Sequence, residues 1–263
     1  MSLLLEFVDA HSWALLPSML ALLGLSAFAG KLAWGRRVRH EATADDELKV
    51  VLGATLSLFG LLIGFLLSFA IGGYNTRMAA EENEAIAIGN AFQRTTLLGA
   101  ERQAHAERLL GDYLEQRIGF FDAPDETRRE QARMQSIQMQ TRMWAYVGRI
   151  AQERPDPVIV TVLNACNDLY TAQQKTMASW RHQIPGAAWA MLIAFGVCSN
   201  VLIGYNIRGA RTGSALLLVV PAVTALAMFL IAEIDVPGRG LIHVTPDNLE
   251  AIRATLAAGG LAP

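Results

Sequence analysis

The sequence predicts an all-α membrane protein in which four transmembrane helices form two hairpins, with a helical soluble insert between the second and third helices. Charged residues make up 17% of the 263 residues, below the roughly 25% that is typical of soluble domains. These charges are concentrated in the middle of the chain. Long charge-free segments on both sides of a charged region indicate membrane spans around a water-soluble part.

Four segments meet the length of about 20 apolar residues that is needed to cross the hydrocarbon core of a bilayer. They are Trp13 to Trp34, Val50 to Gly73, Pro185 to Tyr205 and Gly213 to Ile234. Only the first contains a charge, Lys31, which lies near the helix end where a lysine can reach the headgroups. Short connectors predict two antiparallel hairpins, residues 1–74 and 184–235.

The region between the hairpins, residues 75–183, predicts three helices, because apolar residues recur at spacings of three and four. The first continues the second span to Phe121, with bends expected at Gly89 and Gly99. The second runs from about Pro124 to Glu153, and the third begins at Pro157. The predicted buried face of the second helix is formed by Met134, Ile137, Trp144, Val147 and Ile150.

After the fourth span, residues 236–263 form a tail that is predicted to pack on the insert. It contains a Pro/Gly turn, a short extended piece at residues 241–244, and a small helix that opens at Thr245, Pro246 and Asp247. An acidic residue next to a threonine and a proline is typical of a helix start.

The short loops carry a cluster of basic residues, which includes Arg36, Arg37 and Arg39, while the first twelve residues contain no lysine or arginine. The positive-inside rule therefore places the loop at residues 35–49 in the cytoplasm and the insert outside.

Composition and motifs give no support for an enzyme, a cofactor or a metal site. The five histidines are scattered, and no HExxH, P-loop or GxSxG motif is present, so no metal or nucleophile constellation is formed. The net charge of −2 gives no indication of a nucleic-acid partner. Three glutamates, Glu81, Glu82 and Glu84, follow the second span and are interpreted as a solvated helix face rather than a cation-attracting cluster.

The second span carries two stripes. The first consists of small residues at spacings of three and four, namely Gly53, Ser57, Gly60, Gly64, Ser68 and Gly72. Such a stripe lets helices approach closely, so we expect a helix contact there. The second stripe consists of the large apolar residues Leu58, Leu62, Phe65 and Phe69. It is interpreted either as a lipid-facing surface or as a hydrophobic pore constriction.

One polar residue, Asn200, lies in the middle of the third span. A buried amide in hydrocarbon indicates an interhelical hydrogen bond or a transport pathway, and the structural role is the preferred interpretation. Glu233 and Asp235 end the fourth span. They can bind a cation or interact with an arginine. The alternative interpretation is that acidic residues at a helix end near the headgroups have no specific function.

Three segments resemble bacterial bestrophins. The run LLIGFLLSFAIGGYNTRMAAEENEAIAIGNAFQRTTLL (residues 61–98) resembles their second-helix region, WRHQIPGAAWAML (180–192) their entry into the third span, and AEIDVPGRGLIHVTPDNLEAI (232–252) the part after their fourth span. The order of elements is closer still to a family of bacterial four-helix membrane proteins called bestrophin-like, and the chain is identified as a member of it. Met78 and Ala79 replace the family's paired tryptophans.

The resemblance implies a pentameric ion channel of the bacterial inner (plasma) membrane, with the second span lining the pore and the insert in the cytosol. That orientation is the reverse of the one that the loop charges predict. The acidic calcium clasp of bestrophins is not recognisable, so no calcium gating is expected. The expected partners are membrane lipids, further copies of the chain and inorganic ions. The rival interpretation is a non-conducting scaffold or sensor whose insert binds a protein or ligand.

Overall fold

The computed structural model describes residues 12–35, 42–206, 213–238 and 241–258, and within these ranges it contains helices and turns but no strand. The α-helices are α1 Ser12–Gly35, α2 Ala42–Thr95, α3 Ala100–Phe121, α4 Glu126–Glu153, α5 Pro157–Trp180, α6 Gly186–Asn206, α7 Gly213–Asp235 and α8 Asp247–Ala258. The predicted all-α class is confirmed. The extended piece expected at residues 241–244 is not a strand.

Among the residues that the structure describes, four helices are long and apolar enough to cross a membrane, as predicted. The candidate spans are Ala14–Ala33 in α1, Glu47–Leu98 in α2 and the turn that follows it, Gly186–Asn206 in α6 and Leu218–Asp235 in α7. The basic cluster Arg36 to Arg39 and the connector at residues 207–212 lie outside the described residues. The pairing into two hairpins and the orientation of the insert therefore stay predictions.

The chain divides into two compact units. The first comprises Met1–Gly72, Gln183–Val236 and Gly240–Ile242. In this unit α1 packs against α6 and α7, because all three helices carry apolar residues on their facing sides. Its most buried apolar side chains, each at most 1% exposed, are Leu23, Ala27, Ala70, Leu192, Ala225, Met228 and Ile231.

The second unit comprises Gly73–His182, Pro237–Arg239 and His243–Pro263. It contains the end of α2 and the helices α3, α4, α5 and α8, with α3 packed against α4 and α8, and α4 against α5. Its core combines residues from all five helices, and among them are Ile88, Leu110, Tyr113, Val147, Leu169 and Leu249. This is the composition of a helical domain with a core of its own.

The helix boundaries in the second unit follow from local residues. α2 passes through Gly89 without a break and ends at Thr95, where a 3₁₀ turn at Thr96–Leu98 and Gly99, with φ of +81°, separate it from α3. The bend expected at Gly99 is therefore a complete break. Asp125 caps α4 by accepting a hydrogen bond from the backbone N–H of Arg128, 2.8 Å away. Asp156 caps α5 in the same way, and Pro157 occupies its first turn, where a missing N–H costs nothing.

The buried face of α4 differs from the prediction. Val147 and Ile150 are buried as expected, but Met134 and Trp144 are 46% and 53% exposed, so the predicted face was wrong for those two residues. The helix instead buries a line of residues that includes the polar side chains of Ser136 and Gln140, together with Ala132, Met143, Val147 and Ile150. Apolar periodicity places the face incorrectly when the core contains hydrogen-bonded polar groups.

Candidate functional site

The four predicted pore-lining residues lie on one side of α2, and the described part of the first unit leaves most of that side uncovered. The exposed fractions of Leu58, Phe65 and Phe69 are 55%, 64% and 48%, and Leu62 is partly buried. Phe59 and Leu66, about a quarter turn around the helix from this stripe, are buried within the unit. The side chains on which the pore prediction rests are thus free to meet lipid, a neighbouring subunit or an axis.

The stripe of small residues in α2 is also uncovered within the unit. Its members Gly53, Ser57, Gly60, Gly64, Ser68 and Gly72 are all exposed. A Cβ atom added at any of the four glycines would meet nothing within 4 Å. The close helix contact that the stripe predicts is not made by the described residues of the first unit, so it stays a prediction that requires another chain.

Close helix packing in the first unit occurs instead between α1 and α6. A Cβ atom at Gly30 would overlap the backbone carbonyl of Val201, and one at Gly204 would overlap the backbone carbonyl of Ala27. These two glycines let the backbones of α1 and α6 touch directly. Small residues at a spacing of four, Ser26 and Gly30, were the signal that the sequence analysis missed.

Asn200 is fully buried in the first unit, and the interhelical hydrogen bond expected of it stays a prediction. Its side-chain amide donates a hydrogen bond to the backbone carbonyl of Gly196, one turn earlier in α6, at 2.7 Å. Its Oδ1 atom has no partner among the described residues. The two acids that end α7 are also buried: Glu233 accepts from the backbone N–H of Leu241 at 2.6 Å, and Asp235 accepts from that of Ile184 at 2.9 Å.

The second unit contains a buried ion pair between Glu84 and Arg117. Both side chains are fully buried, and the guanidinium donates from Nε to Oε1 and from Nη2 to Oε2. Although desolvation favours neutral guanidine, the charge of Glu84 raises the pKa of Arg117. The interpretation of the acidic run as a solvated face was wrong for Glu84 and for Glu81, which is 1% exposed, whereas Glu82 is exposed.

Further polar side chains extend this ion pair into a network. The Tyr113 hydroxyl donates to Oε1 of Glu84 at 3.1 Å, and the Thr176 hydroxyl donates to Oε2 at 2.7 Å. The Gln140 amide donates to the Tyr113 oxygen at 3.3 Å. Burial raises the pKa of Tyr113 well above its usual value, and the charge of Glu84 raises it further. The phenol is therefore a hydrogen-bond donor at every physiological pH.

Glu81, one turn before Glu84, holds the start of α8. Its Oε1 accepts from the backbone N–H groups of Asn248 and Leu249 at 3.1 and 3.0 Å, and its Oε2 accepts from the Asn248 side chain at 2.6 Å. A carboxylate at a helix N-terminus satisfies N–H groups that have no partner within the helix. Glu81 and Glu84 therefore hold helices of the second unit together.

A cavity of about 300 Å³ lies between α4 and α5 in the second unit. Its wall includes Gln140, Trp144, Cys166, Leu169 and Tyr170. Gln140 is 8% exposed, and its Oε1 atom is buried without a hydrogen-bond partner among the described residues. Burial raises the pKa of the Cys166 thiol to about 11.

Comparison with models of known protein families adds the decisive observation. The model of the bestrophin-like domain matches residues 23–249, which is most of the chain. The chain belongs to the bestrophin-like family. Family membership together with four apolar helices indicates a membrane protein. No curated protein and no solved structure matches the chain in the corresponding searches.

In this bestrophin-like protein, the segments that carry the resemblance also hold the buried polar contacts. Residues 61–98 contain Glu81 and Glu84, and residues 232–252 contain Glu233, Gly238 and Asn248. Within the part of the chain that the structure describes, no group of three or more His, Cys, Asp and Glu residues has the arrangement of a metal site. These segments thus hold the buried ion pair of Glu84 and the capping contacts of Glu81.

Proposed function

We propose that the protein is a subunit of an oligomeric ion channel, a pentamer in the inner membrane of a bacterium, in which α2 lines the central axis. The observation that supports this proposal is the uncovered side of α2. Both the small stripe and the apolar stripe lie there, while Phe59 and Ala70 on the other side are buried in the subunit's own core. A side of a helix left uncovered by its own chain is available to copies related by symmetry.

The two stripes are suited to different neighbours in such a ring. Successive residues are about 100° apart on a helix, so Gly60 and Gly64 can contact an adjacent subunit while Phe65 and Phe69 turn toward the axis. Small residues permit the close contact. The large apolar residues form stacked collars that oppose ion passage, because they offer nothing to replace the hydration shell.

Ion flux through liposomes tests the proposal. Replacing Leu62, Phe65 and Phe69 by alanine widens the collars, so we expect this triple variant to conduct faster than the wild type. Phe28→Ala in α1 is the matched control. Phe28 is 58% exposed and Phe65 is 64% exposed, so the substitution removes a similarly exposed phenylalanine. In the proposed ring, α1 does not lie at the axis. The proposal is wrong if correctly assembled wild type and triple variant are equally silent under every ion gradient and pH.

The second candidate function is a non-conducting scaffold or sensor whose soluble part binds a ligand. The cavity between α4 and α5, whose wall includes Gln140, Trp144, Cys166 and Tyr170, favours it. A protein that is silent in the flux assay but binds a ligand in the second unit would support this function over the channel.

A further inference from the structure

The line of side chains that carries Phe65 continues along α2 beyond the apolar segment. α2 is one helix, Ala42–Thr95, and about 18 residues make five whole turns of an α-helix. Asn83 follows Phe65 by that interval, so the two residues lie on the same side of α2. Thr76 and Asn90 lie within about 20° of this line, at about 100° per residue. All four residues are exposed, so the line changes from apolar to polar after the predicted span.

The amide of Asn83 is held in one orientation by its own helix. Its Nδ2 atom donates a hydrogen bond to the backbone carbonyl oxygen of Ala79, one turn earlier, at 2.6 Å. A carbonyl oxygen only accepts hydrogen bonds, so the amide atom that faces it must be the nitrogen. The Oδ1 atom accepts no hydrogen bond from the residues that the structure describes. Each copy of the chain thus offers an exposed amide oxygen in a defined orientation.

The charges near Asn83 decide which ions its amide favours, because the nitrogen keeps one hydrogen that an anion can accept. Among residues 73–95, all of which the structure describes, Glu82 is the only exposed residue that carries a charge. The other charged residues of this stretch are the buried Arg77, Glu81 and Glu84, and Arg94, which forms an ion pair with Asp168 at 3.6 Å. An exposed carboxylate next to the amide attracts cations and repels anions.

We propose that the channel selects monovalent cations, and that Asn83 and Glu82 determine this selectivity. The proposal rests on the proposed function, in which copies of α2 surround the axis. In that ring the side that carries Phe65 faces the lumen, so the Asn83 oxygens of all copies form a ring that replaces part of an ion's hydration shell. Neutral oxygens bind a monovalent cation weakly enough for it to leave again, as conduction requires. The Glu82 carboxylates, about 100° further round each helix, make the potential at this ring negative.

Reversal potentials in planar lipid bilayers, measured under a gradient of KCl, test the selectivity. The full-length protein is used with Leu62, Phe65 and Phe69 replaced by alanine, because the widened collars let it conduct. We expect K⁺ to permeate about tenfold better than Cl⁻, as a lumen lined by one sign of charge produces. Glu82→Gln should bring this ratio close to one. Glu101→Gln is the matched control, because it neutralises an exposed glutamate in α3, which is not placed at the axis, and it should leave the ratio unchanged.

The K⁺ conductance of Asn83→Leu tests the ring of amide oxygens. In the same triple variant, the leucine adds an apolar ring to the line that faces the lumen. We expect the K⁺ conductance to fall by about tenfold, the effect of losing an interaction the size of one hydrogen bond. Asn75→Leu is the matched control, because Asn75 is also exposed on α2 but lies about 80° from the line. Both positions are exposed, so neither leucine disturbs the core.

Three results would contradict the proposal, and they separate it from the proposed function. Silence of the correctly assembled triple variant would overturn the channel and its cation selectivity together. Conduction that favours Cl⁻, or that does not discriminate between K⁺ and Cl⁻, would overturn the cation selectivity while the channel stands. A K⁺ preference that survives Glu82→Gln, or a K⁺ conductance that Asn83→Leu leaves unchanged, would overturn the role of that residue.

Discussion

Glu84 and Arg117 form an ion pair in which neither side chain is exposed, although 33 residues separate them in the sequence. The pair joins α2 to α3, and hydrogen bonds from Tyr113 and Thr176 complete the coordination of the carboxylate. Arg117 also lies over the ring of Phe120, with its guanidinium carbon 4.5 Å from the ring centre. Removing one partner would leave a buried charge uncompensated.

We therefore predict a large loss of stability for Glu84→Gln, of about 3–5 kcal/mol, as found when one member of a buried ion pair is removed. The matched control is Glu82→Gln on the same helix, because Glu82 is exposed. Thermal unfolding of the purified variants measures both. In the double variant Glu84→Leu with Arg117→Met, no unpaired charge remains, so it should be less destabilised than the sum of its single variants. An additive result would show that the two residues act independently.

A second prediction concerns the contact between α1 and α6. Gly30→Ala and Gly204→Ala each place a methyl group against a backbone carbonyl, so each should destabilise the protein by about 1–3 kcal/mol. Gly24→Ala, also in α1, is the control, because its added Cβ atom meets nothing within 4 Å and alanine is the better helix former. Equal melting temperatures for the three variants would mean that the helices do not touch there.

The turn after α7 leads to a third prediction. Gly238 has a φ of +67°, and a Cβ atom there would lie 2.6 Å from the Trp180 ring and 2.8 Å from Nη2 of Arg129. Arg129 itself donates hydrogen bonds to the carbonyls of Gly238 and Ala123, at 2.9 and 3.0 Å.

Gly238→Ala should thus lower the stability by about 2–4 kcal/mol, through backbone strain and overlap together. Gly119→Ala is its control, since Gly119 lies in a helix of the same unit and has open space around it. Unfolding in the two variants at the same temperature would refute the proposed role of Gly238.

The sequence predicted the helical class and the four candidate spans because both depend on local composition and periodicity. It failed where the partners of a residue are distant. Glu81 and Glu84 were interpreted as solvated because acidic runs usually are, but their partners Asn248 and Arg117 are 167 and 33 residues away.

A finer pattern was present in the sequence. Glu81, Glu84, Ile88 and Phe92 follow one another at spacings of three and four, and all four are buried. The same spacing continues the buried side of α2 beyond the apolar segment. For α4, the polar residues Ser136 and Gln140 interrupt the apolar periodicity, so the periodicity alone gave a rotated face.

The small stripe of α2 leads to a fourth prediction, and it separates assembly from folding. Gly60 and Gly64 have open space around them within the subunit, so Gly60→Leu and Gly64→Leu should leave the helical content of each subunit unchanged. If the stripe contacts a neighbouring chain, the leucines prevent close approach and reduce oligomer size. Light scattering of the purified variants measures this size, with Leu226→Ala in α7, an exposed position, as the control. Unchanged oligomers in both variants would place the stripe against lipid or open space.

The most direct test of the channel proposal is the symmetry of the purified wild-type particle, determined by electron cryomicroscopy in a lipid nanodisc. The proposal predicts a five-fold ring in which α2 is the innermost helix, with Phe65 and Phe69 facing the axis and Gly60 and Gly64 against the adjacent subunit. A monomer, a dimer, or a ring with α2 on its outer, lipid-facing side would contradict it.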